Sequence, residues 1–309
     1  MKVVSYYNVV PTVNNNREKY LLLENFVSGV NAAGDTGILH KGFNLLECDV
    51  GLIQGWQHEV GKNAPHLKLR QSVIDRTQNK HVVTADSNLF LYHTKTNQPH
   101  CYLRYSFDGI FPNTGNYCDT TIDPNRWNQI QQDTGVRLEN LTRRGKHIIL
   151  CCQRNKGWSM GGYDVVTWIH NTVKEIRKYS PRHIVVRAHP GDKKAKNYLD
   201  PKRSPVRNIP NLSISPLGTP LEQDLLNAWC VVNHNSSSIV GPIIKGYPAF
   251  ITDPSKSQCA EVAHHGFKRL EKPKEFDREA WLQRISMFHW KLSELNDGTC
   301  WRHMRQFVQ

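Results

Sequence analysis

Apolar positions along the chain alternate between two rhythms. KVVSYYNVV (2–10) is dense in Val and Tyr and predicts a first strand. Glu18–Ala33 has Leu21, Leu22, Phe26 and Val30 at helical spacing and closes at Gly34, a glycine suited to a helix C-terminus. GILHKG and LLECDVGLIQGW predict strands, PHLKLRQSVIDRTQNK a helix beginning near Pro65, and HVVTADSNLFLY a further strand. After a polar, basic break at Thr142–Lys146, KHIILCCQ is almost wholly apolar, the mark of a central parallel strand buried on both faces. A helix over Asp164–Tyr179 gathers Val165, Trp168, Ile169, Val173 and Ile176 on one face. HIVVRAH, NLSIS, CVVNHN and YPAFITD predict strands, Leu221–Ala228 a helix, and SSSIVGPIIKG a helix-like link. From Phe276 onward Trp281, Ile285, Phe288 and Leu292 predict a helical tail.

This alternation specifies an α/β protein with doubly wound parallel sheets. The expected division is a Rossmann-like domain over 1–143, a second over 144–275, and a C-terminal helical segment, 276–309, that packs back across the domains. Residues 99–125 break the rhythm with Pro99, Asp108-Gly109, Pro112-Asn113 and Thr114-Gly115 among five aromatic residues, and are expected to form a binding loop.

A chain of 309 residues suits two such lobes. Its apolar stretches fall short of the roughly 18 residues that span a bilayer. MKVVSYYNVV carries one Lys, and Ser and two Tyr interrupt its apolar run; it is expected to be a strand and not a secretion signal. Eight cysteines occur without a Cys-x-x-Cys pair, so reduced thiols and a cytoplasmic location are expected. The net charge of +13 changes the picture more, because such an excess draws polyanions.

Two segments carry candidate chemistry. In NHNSSSIVGPIIKGYPAFITDP (233–254) a strand runs into three serines and a helix start, where free backbone N–H groups and hydroxyls suit a diphosphate. An ordinary helix cap would also explain the serines. In VVRAHPGD (185–192) Arg187 and His189 follow a buried strand at the same expected sheet edge, beyond which ligands of open α/β sheets sit. No Asp-x-Asp pair occurs, so neither a metal nor another cofactor is expected.

RAHPG followed some 45 residues later by NHNSSSIVGPIIKGYP resembles the donor domain of GT-B glycosyltransferases, most closely the polysialyltransferase and capsule-synthesis type. That resemblance covers about 150–255 and implies two Rossmann-like domains facing across a cleft. It also implies a nucleotide-sugar donor, expected to be a UDP-sugar, and inverting, metal-independent transfer. By it, Arg187, His189, Ser236, Ser237 and Ser238 would hold the donor phosphates, with His234 beside them. Arg154 and Lys156 of QRNKGWSMGG (153–162) would reach the sugar or diphosphate. Many GT-B enzymes hold the donor ribose with a Glu where this chain has Gly241-Pro242, so Glu222 is the substitute expected.

On the acceptor side Asp49, Asp86, Asp108 and His58 are candidate general bases. Asp108, in the aromatic loop, is preferred. The chain also resembles the phage-type glycosyltransferases of 5-hydroxymethylcytosine in double-stranded DNA. In that reading Lys193, Lys194, Lys196, Lys202 and Arg203 would contact the phosphate backbone, and Tyr105 and Phe111 would stack on an extruded base, in a monomeric enzyme. The alternatives are a surface or capsular polysaccharide transferase with an anionic glycan acceptor, and a non-catalytic nucleotide- or nucleic-acid-binding protein.

Overall fold

The computed structural model describes residues 1–11, 17–57, 63–90, 102–142 and 144–308. They form two compact units, Met1–Val136 with Leu282–Gln309, and Arg137–Trp281. Each has its own sheet, six-stranded among the described residues.

In the first unit β1 (Lys2–Tyr6) leads through a 3-10 turn, Tyr7–Val9, toward α1 (Arg17–Ala32). β2 (Thr36–His40), β3 (Cys48–Gln54), α2 (Pro65–Ile74) and β4 (Asn79–Asp86) follow. After α1 and after β3 the chain turns on glycines in the left-handed region, Gly34 (φ +87) and Gly55 (φ +77), conformations open to glycine without steric cost. β5 (Tyr102–Phe107) and α3 (Pro124–Thr134) complete the N-terminal part of the unit.

The second unit runs β6 (His147–Cys151), α4 (Val165–Arg177), β7 (His183–Arg187), β8 (Leu212–Ile214), α5 (Leu221–Leu225), β9 (Ala228–Asn233), α6 (Val240–Ile244), β10 (Ala249–Ile251) and β11 (His264–His265). The chain boundary of the second unit falls within α7 (Arg278–Ser286), after which β12 (His289–Lys291), α8 (Leu292–Asn296) and α9 (Thr299–Met304) belong to the first unit.

The first sheet has the order β12-β5-β4-β3-β1-β2. β1, β2, β3 and β4 are parallel, while β5 and β12 run antiparallel at one side. The second sheet, β11-β10-β9-β6-β7-β8, pairs in parallel throughout. Read from β8, its order is the 3-2-1-4-5-6 of dinucleotide-binding sheets, and that of the first is the 2-1-3-4-5 of flavodoxin-like ones with one strand added.

The core explains these choices. Ile148, Leu150, Ile184, Val186, Cys230 and Val232 are fully buried against the apolar face of α4, whose first turn is capped by Asp164 accepting from Thr167 N at 3.0 Å. Cys151, Cys152 and Cys230 are buried free thiols, and burial pushes the Cys151 thiol up to about 12, so they pack as small apolar groups.

Two expectations are corrected. The described part of 99–125 is not a loop at its start: all six residues of β5 are buried, and it pairs with β4 and β12. Arg104 and Ser106 interrupt its apolar reading, but Arg104 is ion-paired with Asp86 and Ser106 Oγ donates to the Gly109 carbonyl. The tail is likewise not helical throughout, because β12 adds a strand beside β5 in the middle of it.

Candidate functional site

The two motifs meet. Cys151, the last residue of β6, is in register with Arg187 on one side and Asn233 on the other. The segments that follow these three residues therefore leave the sheet side by side at its carboxyl edge. Strand order reverses between β6 and β9, and the crevice at such a reversal is where open α/β sheets bind ligands.

A polar network centred on the buried Gln153 and Asn235 fixes the loops there. Gln153 Nε2 donates to Asn235 Oδ1 at 2.6 Å and to Ser159 Oγ at 3.0 Å. Asn235 Nδ2 donates to the Ser159 carbonyl at 3.0 Å and to Asp253 Oδ2 at 2.9 Å. Thr252 Oγ1 accepts from Trp168 Nε1 at 3.0 Å and lies 2.7 Å from His234 Nδ1. Asp192 ties the loop after β7 to that after β6, accepting from Asn155 N and Lys194 N at 2.9 Å and from Tyr198 Oη. Burial alone would raise its pKa, but these donors hold it below the usual carboxylate range.

His189 faces this edge as a neutral ring. Burial, and then the nearby Arg154 guanidinium, push its pKa down to about 4. Its Nδ1 accepts from Gly191 N at 2.9 Å, which leaves the proton on Nε2. It can thus donate a hydrogen bond to an anion without being a cation. A Cβ on Gly191 would lie 2.6 Å from Arg154 Nη2 and 3.1 Å from His189 Cε1, so this glycine makes room for the guanidinium against the ring.

The serines enter a 3-10 turn, Ser237–Ile239, that leads into the short α6. Ser236 caps the turn, its Oγ accepting from Ser238 N at 3.2 Å. Ser238 Oγ and Asn233 Oδ1 are buried without a hydrogen-bond partner among the described residues, so two polar groups stand unused at the crevice. Pro242 lies inside α6, and α6 has five residues where the sequence suggested a longer helix.

Arg187 is committed elsewhere in part. Its Nη1 donates to Asp224 Oδ2 at 2.6 Å, and Ser215 Oγ also donates to that carboxylate at 2.8 Å. Arg154 and Lys156 are exposed, Lys156 with φ +54. Glu222 lies 3.8 Å from Lys245, at the end of α6 away from the serines, and is not gathered with them. Gln153, Asn235, Asp253, Asp224 and Gly191 were missed by sequence reasoning. A polar residue on each side of a Ser-rich turn was the available signal for Asn235 alone.

No protein-family model and no curated protein matches the chain. Among solved structures it is similar to the KpsC β-Kdo 2,7-transferase of Thermosulfurimonas dismutans, at 10% identity and a TM-score of 0.52, over 97% of this chain and 99% of that one. It is also similar to the KpsC β-Kdo 2,4-transferase of the same organism, at 12% identity and a TM-score of 0.51, over 93% and 90%. The fold is of the GT-B kind. Both Rossmann-like units of that fold are thus present, and no described helix is long and apolar enough to cross a membrane.

Within the GT-B fold several acceptor-side expectations are corrected. Asp108 lies beyond β5, which runs antiparallel, and so stands at the amino edge of the parallel strands beside the start of β4. There it takes Val82 N at 2.9 Å, His81 Nδ1 at 2.8 Å and Arg76 at 3.3 Å. It secures a turn at the edge opposite to where a ligand would bind. Asp49 is at that same amino edge, accepting from Lys2 N at 2.9 Å and Lys80 at 3.2 Å. Asp86 ends β4 at the carboxyl edge, paired with Arg104. His58 lies outside the described residues. Tyr105 is 1% exposed, packed on Phe26 in the core, and offers no ring to a base. Phe111 is half-buried in the turn after β5, apart from Tyr105. Lys193, Lys194, Lys196, Lys202 and Arg203 are exposed on a connection pinned by buried Ala195, Leu199, Ser204 and Val206. Among the described residues no cluster of His, Cys, Asp or Glu could hold a metal ion.

Proposed function

We propose that the chain is a glycosyltransferase that takes a sugar from a nucleotide-sugar donor and adds it to an anionic surface or capsular glycan. The observation that carries this reading is the register of Arg187 and Asn233 on either side of Cys151, which brings the cationic and serine-rich segments to one crevice. A phosphate there would meet the Nε2–H of His189, the exposed Arg154 and Lys156, and Ser238 Oγ. These groups would stabilise negative charge on the departing nucleotide without proton transfer from His189, which is neutral at pH 7. The likeness to two Kdo transferases over nearly the whole chain supports a glycan acceptor over DNA. The buried Tyr105 removes one of two rings on which base stacking was expected. On the acceptor side we assign the hydroxyl-facing role to Asp86, which replaces Asp108 as the carboxylate at the carboxyl edge of the first sheet.

The test is a thermal-shift screen of the whole chain with UDP-, GDP-, CMP- and TDP-sugars, UDP being the first choice, followed by release of free nucleotide with and without acceptor. A donor that shifts melting and an acidic oligosaccharide that stimulates release support the reading. Stimulation by hydroxymethylcytosine DNA alone returns the acceptor to nucleic acid. Binding without turnover of any acceptor marks a non-catalytic nucleotide-binding protein.

A further inference from the structure

The first unit has its own point of strand-order reversal, between β1 and β3. Two loops leave the carboxyl edge there, the 3-10 turn Tyr7–Val9 after β1 and Gly55-Trp56 after β3. Arg70, in the middle of α2, reaches across to both. Its Nη2 donates to the Val9 carbonyl at 2.8 Å and its Nη1 to the Trp56 carbonyl at 3.0 Å.

Arg70 as a residue is 7% exposed, and burial is the one influence on its charge, with no described carboxylate ion-paired with it. Its Nε is buried without a partner among the described residues. Two carbonyl dipoles satisfy two of five donors but do not neutralise a full charge, and an unneutralised buried cation is costly. Burial alone pushes its pKa down to about 10, so it remains charged at pH 7. Gly55 borders the fork, with its Cα side facing Nη1 at ordinary contact distance: a Cβ there would sit 3.5 Å from that nitrogen. A second cation lies against the same 3-10 turn. The exposed Lys41 lies over the Tyr7 ring, 5.2 Å from its centroid, and Tyr7 stacks on Tyr20 at 4.2 Å.

We propose that this crevice is an oxyanion subsite of the first unit, in which Arg70 holds a carboxylate or phosphate group of the acceptor. The proposal rests on the glycosyltransferase reading for the word acceptor and on the first unit alone for its geometry. The planar fork of an arginine suits either oxyanion through two parallel hydrogen bonds. Val9 and Trp56 carbonyls fix the guanidinium plane, and Lys41 adds long-range attraction at the rim.

The test is calorimetric titration of the whole chain at fixed ionic strength with three probes: a galacturonate disaccharide, a hexose phosphate and a neutral disaccharide. The expected result is at least tenfold tighter binding of one or both anionic probes than of the neutral one. Preference for the uronate alone identifies a carboxylate, for the hexose phosphate alone a phosphate. Arg70→Met is expected to abolish the preference, and Arg70→Lys, which keeps the charge but not the fork, to cut it at least threefold. Equal binding of all three probes by the unaltered protein overturns the proposal, as does an unchanged preference in Arg70→Met. Should Arg70→Met not fold, an unchanged preference in Arg70→Lys overturns it equally. Nucleotide binding is read in the same samples. Its absence from the unaltered protein would undo the glycosyltransferase reading while leaving the anion preference standing.

Discussion

Removing Arg187 should damage both the fold and the reaction, and the two losses can be separated. The Asp224 side chain is 10% exposed and that of Arg187 14%, with 2.6 Å between Nη1 and Oδ2. Breaking a buried pair by deleting one member costs about 3–5 kcal/mol, because the other charge is stranded. Here Ser215 Oγ keeps donating to the stranded carboxylate at 2.8 and 2.9 Å, which favours the lower end, about 3 kcal/mol. For a domain of this size that lowers the melting temperature by about 6–12 °C in Arg187→Ala. Replacing both members with apolar residues of similar volume, Arg187→Met with Asp224→Leu, should recover most of that loss. Turnover should not recover. Loss of the guanidinium from the carboxyl edge of β7, beside the proposed phosphate contacts, is expected to slow nucleotide release at least tenfold in both variants, about 1.4 kcal/mol of transition-state stabilisation. Scanning calorimetry and the release assay, run on the single and double variants, give the four numbers needed. If Arg187→Ala melts like the unaltered protein, the buried pair is not as described. If the double variant turns over normally, Arg187 has no part in donor chemistry.

Other perturbations follow from the same contacts. Gly191→Val should displace the flexible Arg154 side chain from His189, lowering kcat/KM about tenfold with the melting temperature little changed, as kinetics beside calorimetry would show. Tyr105→Ala should cost about 3–5 kcal/mol in urea unfolding as a core truncation, with DNA affinity unaffected; a selective loss of DNA binding would restore its surface role. Burial pushes His189 to about 4 and His289 to about 3, both below the ordinary value near 6.5. The unfolded chain therefore binds more protons over that window, so stability is full above about pH 6.5 and falls on acidification, approaching about 1.4 kcal/mol per pH unit for each histidine. Urea midpoints at pH 7, 6 and 5 should decline accordingly, and His289→Gln should flatten the decline. Asp108→Asn should leave turnover within about twofold, since its carboxylate serves a turn at the amino edge; a thousandfold loss would reinstate it as the base.

Where periodicity was strong the sequence was readable. The run Ile148–Cys151 and the helical face of α4 announce themselves through burial on both faces and on one face respectively. Residues whose placement depends on pairing were not. Asp108 looked like a loop carboxylate near an acceptor, and only the antiparallel direction of β5 sends it to the amino edge. β5 itself was hidden because Arg104 and Ser106 find their partners in distant or turning segments. For the site, Arg187, His189 and the serines were visible as types at strand ends. Their shared neighbour Cys151 was not, since register is a tertiary fact. Arg70 gave no signal at all: in the sequence it is one more cation on a polar helix.

The interleaving of the two units in the chain has a consequence for how the molecule is made. Synthesis delivers the second unit whole, from Arg137 to Trp281, before the ribosome has translated β12, α8 and α9. Until those arrive, β5 keeps an unpaired flank, and α1 lacks the buried Leu295 and Trp301 that pack beside it. The inserted unit can therefore mature during translation while its host waits for the segment from Leu282 onward, a delay in which an open strand invites wrong partners.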